Sequence, residues 1–257
     1  MTTSRAGSQE SAVKVLTGCI SIVVVLVAWQ VSASSGLVDA SYTSSPLEIV
    51  KAAAELVTSG ELAQNLPTTL FEFSIGYALA VVIGVPLGML MGWRLRVRQV
   101  FEPLLYALYV TPSLALFPIF VLVWGIGTTS KIAIVFVDVL ATVVINAMAG
   151  VQETDARTLR MAHAFGAGQM AQFWKIIAPS AMPTTVAGLR LGVGRGVITV
   201  IVAELYGGVV GLGVMISAYG SSFNVPPLIV LALLAGLFGL IVGSLLRRIE
   251  RSVFRWE

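Results

Sequence analysis

The chain has 257 residues, 57% of them hydrophobic and 11% charged, with a mean hydropathy of +0.92. Soluble domains carry about 25% charged residues, so a water-soluble globule is excluded and the natural solvent is a bilayer. The net charge of +3 does not point to nucleic acid, because the basic residues cluster at the ends of apolar runs instead of forming a patch. The single cysteine, Cys19, excludes an internal disulfide, and the single histidine, His163, excludes His-rich metal sites, so no bound metal is expected.

A helical span needs about 20 mainly apolar residues. Six are expected in chain order, at 13–33, 70–92, 104–126, 131–150, 184–206 and 226–246. "VSA" at 31–33 resembles a signal-peptide cleavage site. The run before it is long for a signal peptide and no soluble domain follows, so an uncleaved span is the reading kept. Between the first two spans, "SPLEIVKAAAELVTSG" reads as a short amphipathic helix with Ser45 as N-cap and Gly60 as stop. Pro112 and Pro118 predict a kink or break in the third span. Trp29, Trp93, Trp124 and Trp256 fit interface positions. No repeat is evident, and the chain reads as one all-α membrane domain over 1–257.

Placing the N-terminus inside puts twelve Lys and Arg residues in the inner segments and two, Lys51 and Lys131, in the outer ones. That asymmetry predicts an N-in, C-in, multi-pass topology. It also places the hydrophilic segment 151–183 on the cytoplasmic side.

Ionisable groups inside a span are costly and usually face a cavity or a partner. Asp138 and Asn146 are eight apart and share a helix face, which makes them candidates for a translocation pathway. Glu204, near the outer end of the fifth span, is a further candidate with a structural or gating role. Glu72 is expected to reach water. Arg190 and Arg195 are read as snorkelling to inner-leaflet phosphates, with anion binding as the alternative. "GGVVGLG" at 207–213 lacks the Lys-Ser/Thr ending of a phosphate loop and reads as tight glycine turns.

Within 151–183, Leu159, Ala162 and Phe165 follow helical spacing, Gly166 permits a turn, and Met170, Phe173, Trp174 and Ile177 form a second apolar stripe expected to end at Pro179 and Pro183. From the residues alone, docking on lipid and docking on a protein fit equally well.

The stretch "GAGQMAQFWKIIAPSAMP" resembles the cytoplasmic signature of permeases in binding-protein-dependent ABC importers: Glu-Ala-Ala, three residues, Gly, nine residues, Ile, one residue, Leu-Pro. Aligned on Gly166, the sequence matches at Ala162, Ala167, Ile176 and Pro179, and departs from it at Arg160 (family Glu), Met161 (Ala) and Ala178 (Leu). "GYALAVVIGVPLGMLMG", "PSLALFPIFVLVWGIGTTSKIAIV", "AGLRLGVGRGVITVIVAEL" and "RRIERSVFRW" each look like the nitrate/sulfonate/taurine branch of these permeases.

The resemblance implies a type I importer permease in the bacterial inner membrane, carrying a small organic or inorganic anion or a related nutrient. It implies work with a second permease copy or paralogue, two ATPase subunits and an external binding protein. ATP would bind the ATPase, and this chain would hold no cofactor and catalyse no reaction. Arg160, Ala162, Phe165, Gly166, Ala167, Ile176 and Pro179 would be the ATPase-coupling residues. A secondary transporter is the competing reading, but it calls for paired intramembrane charges and internal repeats.

Overall fold

The computed structural model describes residues 17, 20–21, 23–35 and 44–253, with side chains to 248. Every regular element among them is helical. The start of the first expected span, Cys19 and Trp256 lie outside the described residues. The chain divides into two compact units, Met1–Glu61 with Ala218–Ala232, and Leu62–Ser217 with Leu233–Glu257.

The first unit contains α1 (Val23–Ser34) and α2 (Pro46–Thr58). Ser45 caps α2 in a reciprocal box: its hydroxyl accepts from the Glu48 N–H at 3.3 Å, and the Glu48 carboxylate accepts from the Ser45 N–H at 2.9 Å. The helix stops at Gly60, whose φ of +79° is a left-handed conformation that suits glycine.

The second unit is built on α3 (Glu61–Trp93), α4 (Leu95–Val110), α5 (Phe117–Trp124), α6 (Thr128–Gln152), α7 (Ala156–Ala164) and α8 (Gln169–Gly207). It also takes the start of α9 (Leu212–Ser221) and most of α10 (Val225–Val253). Its core lies where Phe73 and Ala80 of α3 and Val193, Val197 and Val200 of α8 close on Val135, Val139 and Val143 of α6. Phe238 of α10 meets Phe73 edge-on with ring centroids 5.0 Å apart.

The α3–α6 contact depends on small residues. Gly76, Ala80, Gly84, Gly88 and Gly92 recur every four residues along α3. A Cβ at Gly88 would sit 2.5 Å from the Val144 carbonyl oxygen, so the two backbones approach as closely as glycine allows. Lipid tails give no hydrophobic drive between helices, and close packing across small residues supplies the attraction instead. Large apolar side chains such as Val82, Leu122 and Leu240 are left exposed on the spans, as a bilayer-solvated surface requires.

Among the described residues, four helices are long and apolar enough to cross a membrane: Glu61–Trp93, Thr128–Gln152, Gln169–Gly207 and Val225–Arg248. The pair Leu95–Val110 and Ser113–Trp124 makes a fifth if the 93° bend between them is one broken span. The break falls at Thr111 and Pro112, where the backbone turns extended before a 3-10 turn at Ser113–Leu116. The first expected span is described only in part, as the shorter apolar helix Val23–Ser34.

Pro179 and Pro183 do not end the second hydrophilic helix; α8 runs unbroken from Gln169 to Gly207. A π turn at Phe173–Ile177 lies just before Pro179. Its wider register displaces the Lys175 carbonyl that the Pro179 ring would meet in a regular helix, so Pro179 is accommodated without a stop. Pro183 lies beyond the π turn, inside the regular α-helix Ala178–Gly207.

Candidate functional site

Three polar constellations stand out in the second unit. The first is the segment joining α6 to α8. Asp155 caps α7, its carboxylate accepting from the Arg157 N–H at 2.8 Å. The helix ends in a Schellman motif: the Ala167 N–H donates to the Ala162 carbonyl at 3.0 Å and the Gly166 N–H to the His163 carbonyl at 2.9 Å. Gly166 takes the left-handed turn at φ +83°. The Gln172 side-chain amide donates to the Ala167 carbonyl at 2.8 Å and ties the turn to α8.

The turn is anchored from below. Phe173 and Ile177 are buried with Val151 and Ala181, with Leu159 and Trp93 packed against them, and the Trp93 and Phe173 rings lie 4.6 Å apart. The expected second stripe therefore splits: Phe173 and Ile177 face the bundle, while Met170 and Trp174 are exposed. Phe165, at the tip, is 91% exposed. Of the residues the sequence singled out, Arg160, Ala162, Phe165, Gly166 and Ala167 come together on α7 and its turn. Ile176 and Pro179 lie instead on α8, half-buried and exposed respectively.

The second constellation surrounds Asp138, near the middle of α6. One carboxylate oxygen accepts from the Ser113 hydroxyl at 2.7 Å and pairs with the Arg195 guanidinium at 3.0 Å, and the other accepts from the Thr199 hydroxyl at 2.6 Å. Arg195 also donates to the Thr142 hydroxyl at 3.2 Å and stacks over the Tyr109 ring, 4.9 Å from its centroid. The preferred snorkelling reading of Arg195 is therefore corrected, because a carboxylate and an aromatic face hold the guanidinium inside the bundle. Asp138 and Arg195 border a cavity of about 230 Å³ beside the helix break, with Ser113, Leu114, Ile198 and Thr199. Asn146 is not part of its lining; it donates to the Thr142 carbonyl at 2.8 Å and is held against Gly188, where a Cβ would meet its own Cβ at 2.2 Å.

The third constellation is at the end of α8. Glu204 is buried and accepts from the Thr69 hydroxyl at 2.7 Å and the Gly213 N–H at 2.8 Å. Thr69 in turn accepts from the Leu212 N–H and Asn65 from the Gly211 N–H, each at 2.9 Å. Gly211 and Gly213 thus close on this carboxylate: a Cβ at Gly211 would fall on the Glu204 carboxyl group itself.

Nearby, Glu72 does not reach water. It is 0% exposed and ion-paired at 2.6 Å with Lys131, which is 3% exposed. Lys131 is thereby also removed from the outer-loop charge count. Sequence reasoning missed this pair because the partners lie on different helices. It missed Ser113 for the same reason. Thr199, one turn after Arg195 on the same face, was the one signal available for the Asp138 network.

Residues 84–255 match the binding-protein-dependent transport system inner membrane component family. The chain belongs to this family. The taurine transport system permease protein of Escherichia coli (strain K12) is 30% identical over 241 residues, covering 92% of this chain and 88% of that protein. A formylaminopyrimidine transport permease protein of Halalkalibacterium halodurans is also 30% identical, over 233 residues, covering 90% and 92%. An inward-facing structure of the MetNI methionine ABC transporter shares the fold, with a TM-score of 0.63 at 20% identity, covering 74% of this chain and 95% of that one.

The permease is a multi-pass inner-membrane subunit of an ABC importer, a transport component and not an enzyme. It works with an ATPase and a substrate-binding protein. Its expected place in the branch that includes taurine permeases stands, and the secondary-transporter reading does not.

Proposed function

We propose that this permease pairs with a second copy or a paralogue, binds two ATPase subunits, and forms a pathway for a small anion delivered by an external binding protein. The α7 turn couples the pathway to ATP. The observation that carries this is Phe165, 91% exposed on a turn held by a Schellman motif and buttressed by the buried Phe173. An aromatic side chain in water beside small residues, Gly166 and Ala167, has the shape of a knob that seats in a preformed cleft. Arg160 stands at the edge of this knob where the family signature has an acid. An exposed ion pair is worth about 0–1 kcal/mol, so reversal of its sign leaves the apolar knob as the main contact.

ATP stays on the partner, and this chain binds no cofactor. Purified alone, the permease should hydrolyse ATP only at background, and hydrolysis should appear when its ATPase subunit is added. Hydrolysis that persists after every P-loop contaminant has been removed would contradict the assignment.

The coupling role requires the turn to face the cytoplasm, in the N-in, C-in topology that the charge asymmetry supports. In a Cys19→Ser background, Val50→Cys should react with an impermeant maleimide from outside, and Gly168→Cys only after the inner face is opened. Both positions are exposed. The reversed pattern would overturn the orientation and the coupling role together.

The substrate class rests on the branch. The taurine and formylaminopyrimidine relatives are equally similar to this chain. Specificity is therefore assigned to the binding protein, and the ligand that protein retains is the measurement that identifies the solute.

A further inference from the structure

Arg195 lies inside the fifth expected span, and the structure gives it more donors than partners. Arg195 lies about two-thirds of the way along α8 and Asp138 near the midpoint of α6. Asp138 is spent internally. It is 5% exposed and accepts from Ser113, Thr199 and Arg195 at 2.6–3.0 Å. A carboxylate satisfied in this way offers little to a ligand.

Arg195 is the reverse. A guanidinium carries five N–H donors, and here it meets one carboxylate oxygen and one hydroxyl. Its side chain is 34% exposed and borders the cavity of about 230 Å³ beside the broken helix. At about 30 Å³ per water, that cavity has room for the oxyanion head of a small solute. The rest of the lining contributes apolar side chains, Pro112, Leu114 and Ile198, and hydroxyls whose protons are committed to Asp138.

We propose that this cavity is an intramembrane station for an oxyanion head group, a sulfonate, carboxylate or nitrate-like group, held by the spare N–H donors of Arg195. Asp138, Ser113 and Thr199 are positioning residues that fix the guanidinium, and the Tyr109 ring supports its face. The charge design suits transit. The ion pair makes the site neutral overall, so an anion meets directed donors without a strong net field, and binding is weak enough to be reversed. A lone buried arginine would hold an anion too tightly and would itself be too costly to place in a membrane.

This station rests on the importer reading for its role but not for its chemistry, and the two are tested separately. The probe is trifluoromethanesulfonate, followed by fluorine NMR line broadening on the permease–ATPase complex in phosphatidylcholine nanodiscs. The complex should broaden the signal, and excess methanesulfonate should reverse it.

Two variants should weaken the effect at least ~10-fold, the scale expected for losing charge-assisted hydrogen bonds. Arg195→Met with Asp138→Asn removes both charges together and leaves no buried charge unpaired. Ile198→Trp fills the cavity from a residue that is 62% exposed, so it leaves the ion pair intact and covers the case in which the double variant does not fold. Equal broadening by wild type and Ile198→Trp, or none by wild type, would overturn the station. ATPase stimulation by the binding protein reports on the importer reading alone. Normal stimulation without anion broadening sinks the station only, and broadening without stimulation sinks the importer reading only.

Discussion

Gly166→Trp should reduce ATP-driven uptake to background while the permease still inserts and accumulates normally. The internal cost of this substitution is small. A Cβ built at Gly166 meets no atom within 4 Å, so nothing in the bundle clashes. What remains is the left-handed backbone at φ +83°, which costs a non-glycine residue about 1–3 kcal/mol. Phe173 and Ile177 stay buried below the turn and keep α8 in place. The damage falls outside the chain, where an indole beside Phe165 would hold the knob away from a cleft that tolerates little added volume.

The ATPase should then fail to co-purify, or should hydrolyse ATP without driving uptake. Gly166→Ala separates the two causes. It carries the same backbone strain with almost no bulk, so it should retain most of the uptake. If the turn rests on lipid instead, a tryptophan at an interface should be tolerated or even strengthen binding. A Gly166→Trp permease that keeps its ATPase and transports at the wild-type rate would remove the coupling role.

Lys131→Met should destabilise the permease by about 3–5 kcal/mol, because it leaves Glu72 as a buried charge with no cationic partner. Both side chains are almost fully enclosed, and they are 2.6 Å apart. Surface ion pairs seldom exceed 1 kcal/mol, so the size of the effect separates a buried pair from a solvated one. Glu72→Leu with Lys131→Met should recover most of the loss, since an apolar pair of similar volume avoids the desolvation cost of both ions. Denaturant unfolding midpoints in detergent would measure this. A loss below 1 kcal/mol in the single variant would mean that water reaches the pair.

Most features that depend on one helix were legible in the sequence. The apolar runs located the long spans, because desolvating a backbone outside a helix is prohibitive in lipid, but α3 and α8 each begin well before the expected 70 and 184, at Glu61 and Gln169. Ser45 and Gly60 marked α2 by local backbone chemistry that a short window contains, and the Glu48 half of the capping box came only with the structure. The turn at Gly166 was equally legible.

Features that depend on two helices were not legible. Glu72 read as reaching water because Lys131 lies 59 positions away in sequence, and only the fold brings the two together. Arg195 read as snorkelling because Asp138 sits on a different span. Within a single helix, Pro179 and Pro183 also read as a stop, because a proline's effect was judged against a regular α-helix; the π turn changes the register ahead of Pro179, and Pro183 is carried inside the helix that follows. Glu204 was singled out for its position, but its role as the ligand of a glycine loop needed the positions of Thr69 and Gly213.

With the α7 turn as its coupling element, this chain moves its solute only as part of an ATP-driven assembly. Proteoliposomes holding the permease, its ATPase and the external binding protein test it directly, with the binding protein's own ligand as the transported solute. Uptake should require all three proteins and ATP on the ATPase side, and should be indifferent to proton and sodium gradients. Uptake by the permease alone, driven by an ion gradient and unaffected by the removal of ATP, would instead make it a secondary transporter.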